Sequence, residues 1–137
     1  MTTLVDTSVW SLALRRAVPD GTSLAYVHRL QALLEDASVV MIGPIRQELL
    51  SGISSEAQFV RLRDRLAILP DEAILPEDYV TAATFWNLCR QHGIQGSHID
   101  FLICAVAVRN KWPLLTTDVD FTRYAAHVPI DLDQGSG

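Results

Sequence analysis

The sequence predicts an α/β domain with a mainly parallel central sheet, and three observations favour this class. Short apolar strands alternate with segments whose apolar residues recur at helical spacing. Two of the strands end at an aspartate, as expected where ligands gather at the carboxyl ends of parallel strands. The chain has 137 residues, of which 49% are hydrophobic and 20% charged, and this suits one compact domain. We expect that domain to cover residues 1–132, with a frayed tail at 133–137.

In the N-terminal half, each predicted strand is followed by two predicted helices. The apolar run at 3–5 predicts a short strand, and SVVMI at 38–42 predicts a strand covered on both faces. Helices are expected where a capping residue or a proline precedes apolar residues at helical spacing. Thr7 or Ser8 caps the first and Ser23 opens the second. These helices cover residues 7–16, 23–34, 43–51 and 54–69.

The C-terminal half contains two predicted helices and then two predicted strands. Pro76 opens the first helix, which ends before His92 and Gly93. Ser97 caps a strongly apolar helix. The helices cover residues 76–91 and 98–108, and the strands cover 113–116 and 129–132, the last as a short edge strand.

Charge and composition limit the classes of function. The net charge is −5, from 16 acidic and 11 basic residues, and this charge by itself argues against a nucleic-acid partner. No apolar run is long enough to span a membrane, and the N-terminus lacks the basic flank of a secretory signal, so we expect a cytoplasmic protein. Cys89 and Cys104 lie in apolar helical patterns and are expected to be reduced core thiols.

Several familiar motifs are absent. The sequence contains no P-loop, no G-x-G-x-x-G, no H-E-x-x-H, no G-x-S-x-G and no zinc-ligand spacing. Nucleoside triphosphate binding, dinucleotide binding, zinc proteolysis and α/β-hydrolase chemistry therefore lack their usual signatures.

Four carboxylates stand where an open α/β sheet places its site. Asp6 and Asp118 follow predicted strands, Glu48 lies shortly after the second strand, and Asp100 lies in the first turn of its helix. If they converge, their repulsion requires a cation. A hard divalent ion such as Mg²⁺ or Mn²⁺ suits oxygen ligands, and one or two such ions could activate water for phosphodiester cleavage.

Each acid also has an ordinary structural interpretation. Asp6 could be a turn or capping residue, and Asp100 could complete a capping box with Ser97. Glu48 could be a solvated surface residue. Asp118 and its neighbour at 120 could be loop acids. None of the four is specific when taken alone.

Taken together, these residues resemble the PIN domain family. The resemblance is carried by Asp6-Thr7-Ser8-Val9-Trp10, by Glu48-Leu49-Leu50-Ser51-Gly52, by Asp100-Phe101-Leu102-Ile103-Cys104-Ala105 and by Leu114-Leu115-Thr116-Thr117-Asp118-Val119-Asp120-Phe121. It extends from residue 3 to about residue 132. Within the family, the length and the DTSVW start are similar to VapC-type toxins of bacterial toxin–antitoxin pairs.

The resemblance implies a three-layer α/β/α fold and a Mg²⁺- or Mn²⁺-dependent ribonuclease. Asp6, Asp100 and Asp118 would ligate metal, and Glu48 would hold a second ion or a metal-bound water. Thr7, Ser8 and Thr117 would orient these acids by hydrogen bonds. Asp120 matches a more variable acid and is given a supporting role. His98 departs from the family pattern, and its role is either phosphate contact or simply the start of a helix.

The resemblance also implies a partner protein. VapC-like toxins are typically inhibited by an antitoxin that covers a hydrophobic groove and can insert a basic side chain into the acidic site, and they commonly form homodimers. Several aromatic residues are compatible with such a groove, although for any one of them a place in the core is the more usual role; they are Trp10, Tyr26, Phe59, Trp86 and Trp112.

The acidic site changes the meaning of the net charge. With four of the 16 acidic residues in one site, 12 remain against 11 basic residues, and two bound Mg²⁺ ions would neutralise the four. RNA is then an acceptable substrate. Arginine matches phosphate oxygens well, and the candidate phosphate contacts are Arg15, Arg16, Arg46 and Arg109.

Three alternatives to a toxin ribonuclease stay open at this point. The chain could be a non-toxin RNA-processing PIN nuclease, or a catalytically inactive PIN scaffold. A phosphoacceptor domain also uses strand-end acids with Mg²⁺, but it needs a second acid close to the first or a strand-end lysine. Asp6 is followed by Thr-Ser-Val and the only lysine is Lys111, so this alternative ranks last.

Overall fold

The computed structural model describes residues 2–14 and 20–134, and within them a parallel sheet forms the centre of the fold. The strands are β1 (Thr3–Val5), β2 (Val39–Val40) and β3 (Leu114–Leu115), in the order β2-β1-β3. In register, Thr3 pairs with Val39 and Leu4 with Leu114, both in parallel. The predicted α/β class with a parallel sheet is therefore confirmed.

Helices flank this sheet and supply most of the described chain. They are α1 (Thr7–Leu14), α2 (Gly21–Glu35), α3 (Gly43–Leu50), α4 (Glu56–Leu66), α5 (Pro76–Gln91), α6 (His98–Asn110) and α7 (Asp120–Ala125). The predicted start and end of α5 are confirmed, and α6 begins where Ser97 was expected to cap it. Among the described residues, no helix has the length and apolar character needed to span a membrane.

The structure corrects three local predictions. The strand expected at 38–42 is reduced to Val39–Val40, because the carbonyl of Met41 instead accepts a hydrogen bond of 2.9 Å from Glu72 N–H. The edge strand expected at 129–132 is a single parallel bridge between Leu132 and Leu114. Asp20, and not Ser23, caps α2, since its carboxylate accepts the Ser23 N–H at 2.9 Å.

The core lies around β1 and α6. All three residues of β1 are buried, and so is every residue of α6 from 101 to 107. A helix that is apolar on all sides is buried in a core, which explains the strongly apolar sequence of α6. Cys89 and Cys104 are buried free thiols, as expected, and burial raises the pKa of both.

The C-terminal segment is anchored as far as the structure describes it. Asp133, the first residue of the predicted tail, forms an ion pair of 2.9 Å with Arg29. Its N–H also donates to the carbonyl of Leu114 at 2.8 Å. The anchored chain therefore includes at least this residue, and 135–137 lie outside the described residues.

Candidate metal centre

Two strand ends meet at one edge of the sheet and define the centre. Asp6 directly follows β1 and directly precedes α1, and its N–H donates to the carbonyl of Leu115 in β3 at 2.9 Å. The segment that leaves β3 therefore runs beside Asp6. This segment contains Thr116, Thr117 and Asp118.

Two hydroxyl groups hold the carboxylate of Asp6, which is only 7% exposed. Ser8 Oγ donates to Asp6 Oδ2 at 3.0 Å, and Thr116 Oγ1 donates to the same oxygen at 2.8 Å. Each hydroxyl in turn accepts a backbone N–H at 3.0 Å, from Thr117 and Asp118 respectively. These hydrogen bonds join the segment that follows β1 to the segment that follows β3. Within the described residues, the other carboxylate oxygen, Asp6 Oδ1, has no hydrogen bond.

Asp100 reaches the centre from the first turn of α6. The Ser97 side chain accepts the Asp100 N–H at 3.0 Å, which is half of the predicted capping box. Asp100 Oδ2 accepts a hydrogen bond of 2.7 Å from the Tyr124 hydroxyl. Burial raises the pKa of Asp100 above its ordinary value, and the carboxylates of Asp6 and Asp118 raise it further, against the hydrogen bonds.

Asp118 and Asp120 complete a group of close carboxylates. One oxygen from each of Asp100, Asp118 and Asp120 lies within 4.8 Å of the others. Asp118 Oδ1 also accepts the Asp120 N–H at 2.9 Å. Asp120 is partly neutralised, because Arg123 donates to it at 3.0 Å.

Glu48 faces the same centre from α3. Burial raises the pKa of Glu48, and the carboxylates of Asp6 and Asp100 raise it further. The Thr7 hydroxyl lies near enough to oppose this rise, although it falls short of a full hydrogen bond with any described residue. Acids from four separate segments therefore repel one another, although they are far apart in sequence.

The donors at this centre suit a hard divalent cation. Carboxylate oxygens are the ligands that Mg²⁺ and Mn²⁺ prefer. Within residues 2–14 and 20–134, no arginine or lysine forms an ion pair with Asp6, Glu48, Asp100 or Asp118. A divalent ion is thus the simplest way to relieve the repulsion between these acids.

The sequence missed two side chains that contact these acids. Thr116, rather than Thr117, supplies the hydroxyl that reaches Asp6, and Thr117 contributes its backbone N–H. Tyr124 lies in α7, a helix absent from the prediction, and it contacts Asp100. Thr116 stands among the quoted motif residues, whereas no local pattern links residue 124 to residue 100.

The structure leaves the predicted arginine contacts with little support. Arg46 donates to Asp71 at 2.9 Å and to the carbonyls of Leu66 and Leu69. Arg109 is held in the same way, as an ion pair with Asp78 at 2.7 Å. These two guanidinium groups therefore serve internal contacts.

The remaining basic candidates are Arg15, Arg16 and His98. Arg15 and Arg16 lie outside the described residues. His98 is exposed and stacks on the ring of Trp86, with centroids 4.4 Å apart and planes 14° apart. The His98 ring therefore contacts Trp86, which is not one of the acids of the centre.

Comparison with known proteins decides the family. The family model described as the PIN domain matches residues 3–127, which is most of the chain. The chain belongs to the PIN domain family. PIN domains are generally nucleases, and they typically use divalent metal ions. The carboxylate centre of this PIN domain is consistent with such chemistry. No curated protein matches the chain.

Solved structures share the same fold. One is the crystal structure of VapBC2 from Rickettsia felis bound to a DNA fragment from its promoter, with a TM-score of 0.75 and 19% identity, covering 97% of this PIN domain and 98% of that chain. Another is FitAcB from Neisseria gonorrhoeae, with a TM-score of 0.70 and 23% identity, covering 98% of both chains. At these identities the likeness is one of fold.

Proposed function

We propose that the chain is a Mg²⁺- or Mn²⁺-dependent endoribonuclease that acts as the toxin of a VapBC-type pair. The observation that carries this proposal is the cluster in which one oxygen from each of Asp100, Asp118 and Asp120 lies within 4.8 Å of the others. The negative charges of Asp6 and Glu48 also act on this centre, and among the described residues Asp6, Glu48, Asp100 and Asp118 form no ion pair. An inactive scaffold would have no reason to tolerate this repulsion. The centre therefore favours an active nuclease.

The residues take distinct roles in this proposal. Asp6, Asp100 and Asp118 would hold a divalent ion, and Asp120 would support them from beside Asp118. Glu48, from α3, would hold a second ion or a metal-bound water. In hydrolysis a water attacks phosphorus and the bond to the leaving oxygen breaks. A bound divalent ion lowers the pKa of water and stabilises the charge of the leaving oxygen.

The chain's own hydrogen bonds keep these acids in position. Ser8 and Thr116 fix one oxygen of Asp6 and so orient the other. Both hydroxyl oxygens also accept a hydrogen bond from a backbone N–H group. The proton of each hydroxyl is therefore directed at the carboxylate of Asp6. Such outer contacts orient ligands and commonly affect metal affinity.

An antitoxin partner is supported by the shape of the surface and by the acidic centre. A mainly apolar groove of about 360 Å³ is lined by Arg65 together with Trp10, Leu14, Leu34, Leu62, Leu66, Ile68 and Leu69. Two of these side chains are exposed, Ile68 at 79% and Leu34 at 38%, and neighbouring exposed apolar side chains are typical of a protein-binding surface. Because Asp6, Glu48, Asp100 and Asp118 form no ion pair among the described residues, the centre would also accept a basic side chain from an inhibitor. We include a homodimer in the proposal on the family resemblance alone.

Two experiments test the proposal. Purified protein is incubated with RNA and Mn²⁺, and Asp6→Asn and Asp100→Asn are expected to abolish cleavage while remaining folded by circular dichroism. Asp64→Asn, an exposed acid on α4, is the matched control and should cleave normally. Cleavage by both site variants at the wild-type rate would refute the assignment.

The second experiment separates a toxin from a housekeeping nuclease. Expression of the chain should arrest growth, and co-expression of the small protein from the adjacent reading frame should restore it. RNA cleavage without growth arrest would favour a non-toxin RNA-processing PIN nuclease.

A further inference from the structure

We propose that Tyr124 is a positioning residue for the divalent-metal centre, and that Gly96 is required because it leaves the space for Tyr124. This inference rests on the proposed function, since it treats Asp100 as a metal ligand. Neither residue belongs to the group of carboxylates. The evidence is the hydrogen bond between Tyr124 and Asp100 and the close packing of Gly96 against Tyr124.

The hydrogen bond joins the Tyr124 hydroxyl to Asp100 Oδ2 at 2.7 Å. Tyr124 is fully buried in α7, and no other hydrogen bond of its hydroxyl occurs within the described residues. The phenol hydroxyl donates and the carboxylate oxygen accepts, because an ionised carboxylate has no proton to donate. One oxygen of Asp100 is thereby oriented, and lone pairs remain for a cation.

The tyrosine ring is itself held on two sides. It lies 4.7 Å from the ring of Phe101 and 5.2 Å from the ring of Phe121, measured between centroids. Phe101 adjoins Asp100 in α6, and Phe121 follows Asp120 in the first turn of α7. The hydroxyl position is therefore coupled to two of the segments that supply acids. A side chain with so little freedom can impose one rotamer on the carboxylate that it contacts.

Gly96 is needed for space and not for its backbone angles. A Cβ atom at this position would lie 2.5 Å from the Tyr124 hydroxyl oxygen and 2.7 Å from Phe101 Cε2. Real side chains do not approach so closely, and the buried tyrosine ring cannot swing away. Any larger residue at 96 would thus move the hydroxyl from Asp100. Gly96, in the loop before α6, therefore packs directly against Tyr124, in the helix that follows β3.

The test measures Mn²⁺ binding directly, from the electron paramagnetic resonance signal of free Mn²⁺. Tyr124→Phe removes only the hydroxyl and is expected to weaken Mn²⁺ affinity about tenfold. At saturating Mn²⁺ its RNA cleavage should approach the wild-type rate, because the ligands themselves remain. Tyr79→Phe, which removes an exposed phenol from α5, is the matched control and should bind Mn²⁺ normally.

A second variant keeps the test independent of the tyrosine itself. Gly96→Ala should also weaken Mn²⁺ affinity, since the added methyl group displaces the hydroxyl. Thermal unfolding of both variants shows whether the weaker Mn²⁺ affinity results from a loss of folded protein. Wild-type Mn²⁺ affinity in folded Tyr124→Phe would overturn the positioning role and leave the proposed function intact. A wild-type protein that binds no Mn²⁺ would instead refute the proposed function, and this role with it.

Discussion

Among the ion pairs of the described residues, the pair between Arg109 and Asp78 has the most buried carboxylate, and its loss should cost the most stability. Asp78 is 1% exposed at its side chain, and Arg109 donates to both of its oxygens, at 2.7 and 2.9 Å. Arg109 also donates to the carbonyl of Ala73 at 3.0 Å. The pair ties α6 to the start of α5. Arg109→Met keeps much of the side-chain length but leaves a buried carboxylate without its cation.

We expect Arg109→Met to lower the free energy of unfolding by about 2–3 kcal/mol. The estimate lies at the lower end for buried pairs, because Arg109 is 28% exposed and water can reach Asp78 from that side. In urea the unfolding midpoint should fall by about 1–2 M. The matched control is Arg63→Met, which removes an exposed pair with Asp64 and should change stability by less than about 0.5 kcal/mol.

The effect should depend on pH with a defined sign. Burial alone would raise the pKa of Asp78, but hydrogen bonds from Arg109 and from Leu75 N–H outweigh it and lower the pKa. The stability that this provides is complete above the ordinary carboxyl pKa, and it disappears as pH falls through the lowered value. In Arg109→Met burial is no longer offset by the arginine, so the deficit should be largest near neutral pH and shrink toward pH 4.

A double-mutant cycle completes this test. Arg109→Met combined with Asp78→Asn should recover part of the loss, because no charge is then buried without a partner. A stability change of Arg109→Met no larger than that of Arg63→Met, with no coupling to Asp78, would refute the reasoning. Reduced RNA affinity with unchanged stability would restore Arg109 as a phosphate contact.

Other predictions concern the centre and a helix end. Thr116→Val should weaken Mn²⁺ affinity about tenfold in calorimetry, whereas Thr117→Val should have little effect. Of these two threonines, Thr116 contacts Asp6 through its hydroxyl, and Thr117 contributes its backbone N–H. Equal effects of the two substitutions would contradict the role of the Thr116 hydroxyl. Without metal, Asp100→Asn should raise the free energy of unfolding by about 0.5–1 kcal/mol, since it removes repulsion between acids; a loss of stability in urea unfolding would contradict this. Lys111→Gly should raise the melting temperature, since Lys111 ends α6 in the left-handed region at φ 58°; a lower value would contradict it.

The fold class could be predicted because each strand and most helices carry local signals. Proline at 76 and serine at 97 mark helix starts, and the apolar run of α6 marks a buried helix. The strand at 38–42 was predicted too long because β-branched composition does not show where a pairing partner ends. Only two of its residues face β1. Helix α7 is short and lacks a side-chain cap, so its start leaves no clear signal.

The acids of the centre could be proposed from their positions in the sequence, but the side chains that donate hydrogen bonds to them could not. Asp6 and Asp118 follow strands, and that position alone indicates a site. The contacts from Thr116 to Asp6 and from Tyr124 to Asp100 span 110 and 24 residues of sequence. Sequence also could not show that Arg46 and Arg109 form ion pairs with Asp71 and Asp78, so the phosphate contacts proposed for these arginines stay a prediction. Such pairings depend on how helices are arranged in space.

Mn²⁺ binding by isothermal titration calorimetry, paired with RNA cleavage on the same samples, is the decisive test of the carboxylate metal centre. We expect the wild-type chain to bind Mn²⁺ and to cleave RNA. We expect folded Asp6→Asn and Asp100→Asn to lose both properties, while Asp64→Asn keeps both. Cleavage at the wild-type rate by variants that no longer bind Mn²⁺ would contradict the claim that these carboxylates form the metal centre of a nuclease.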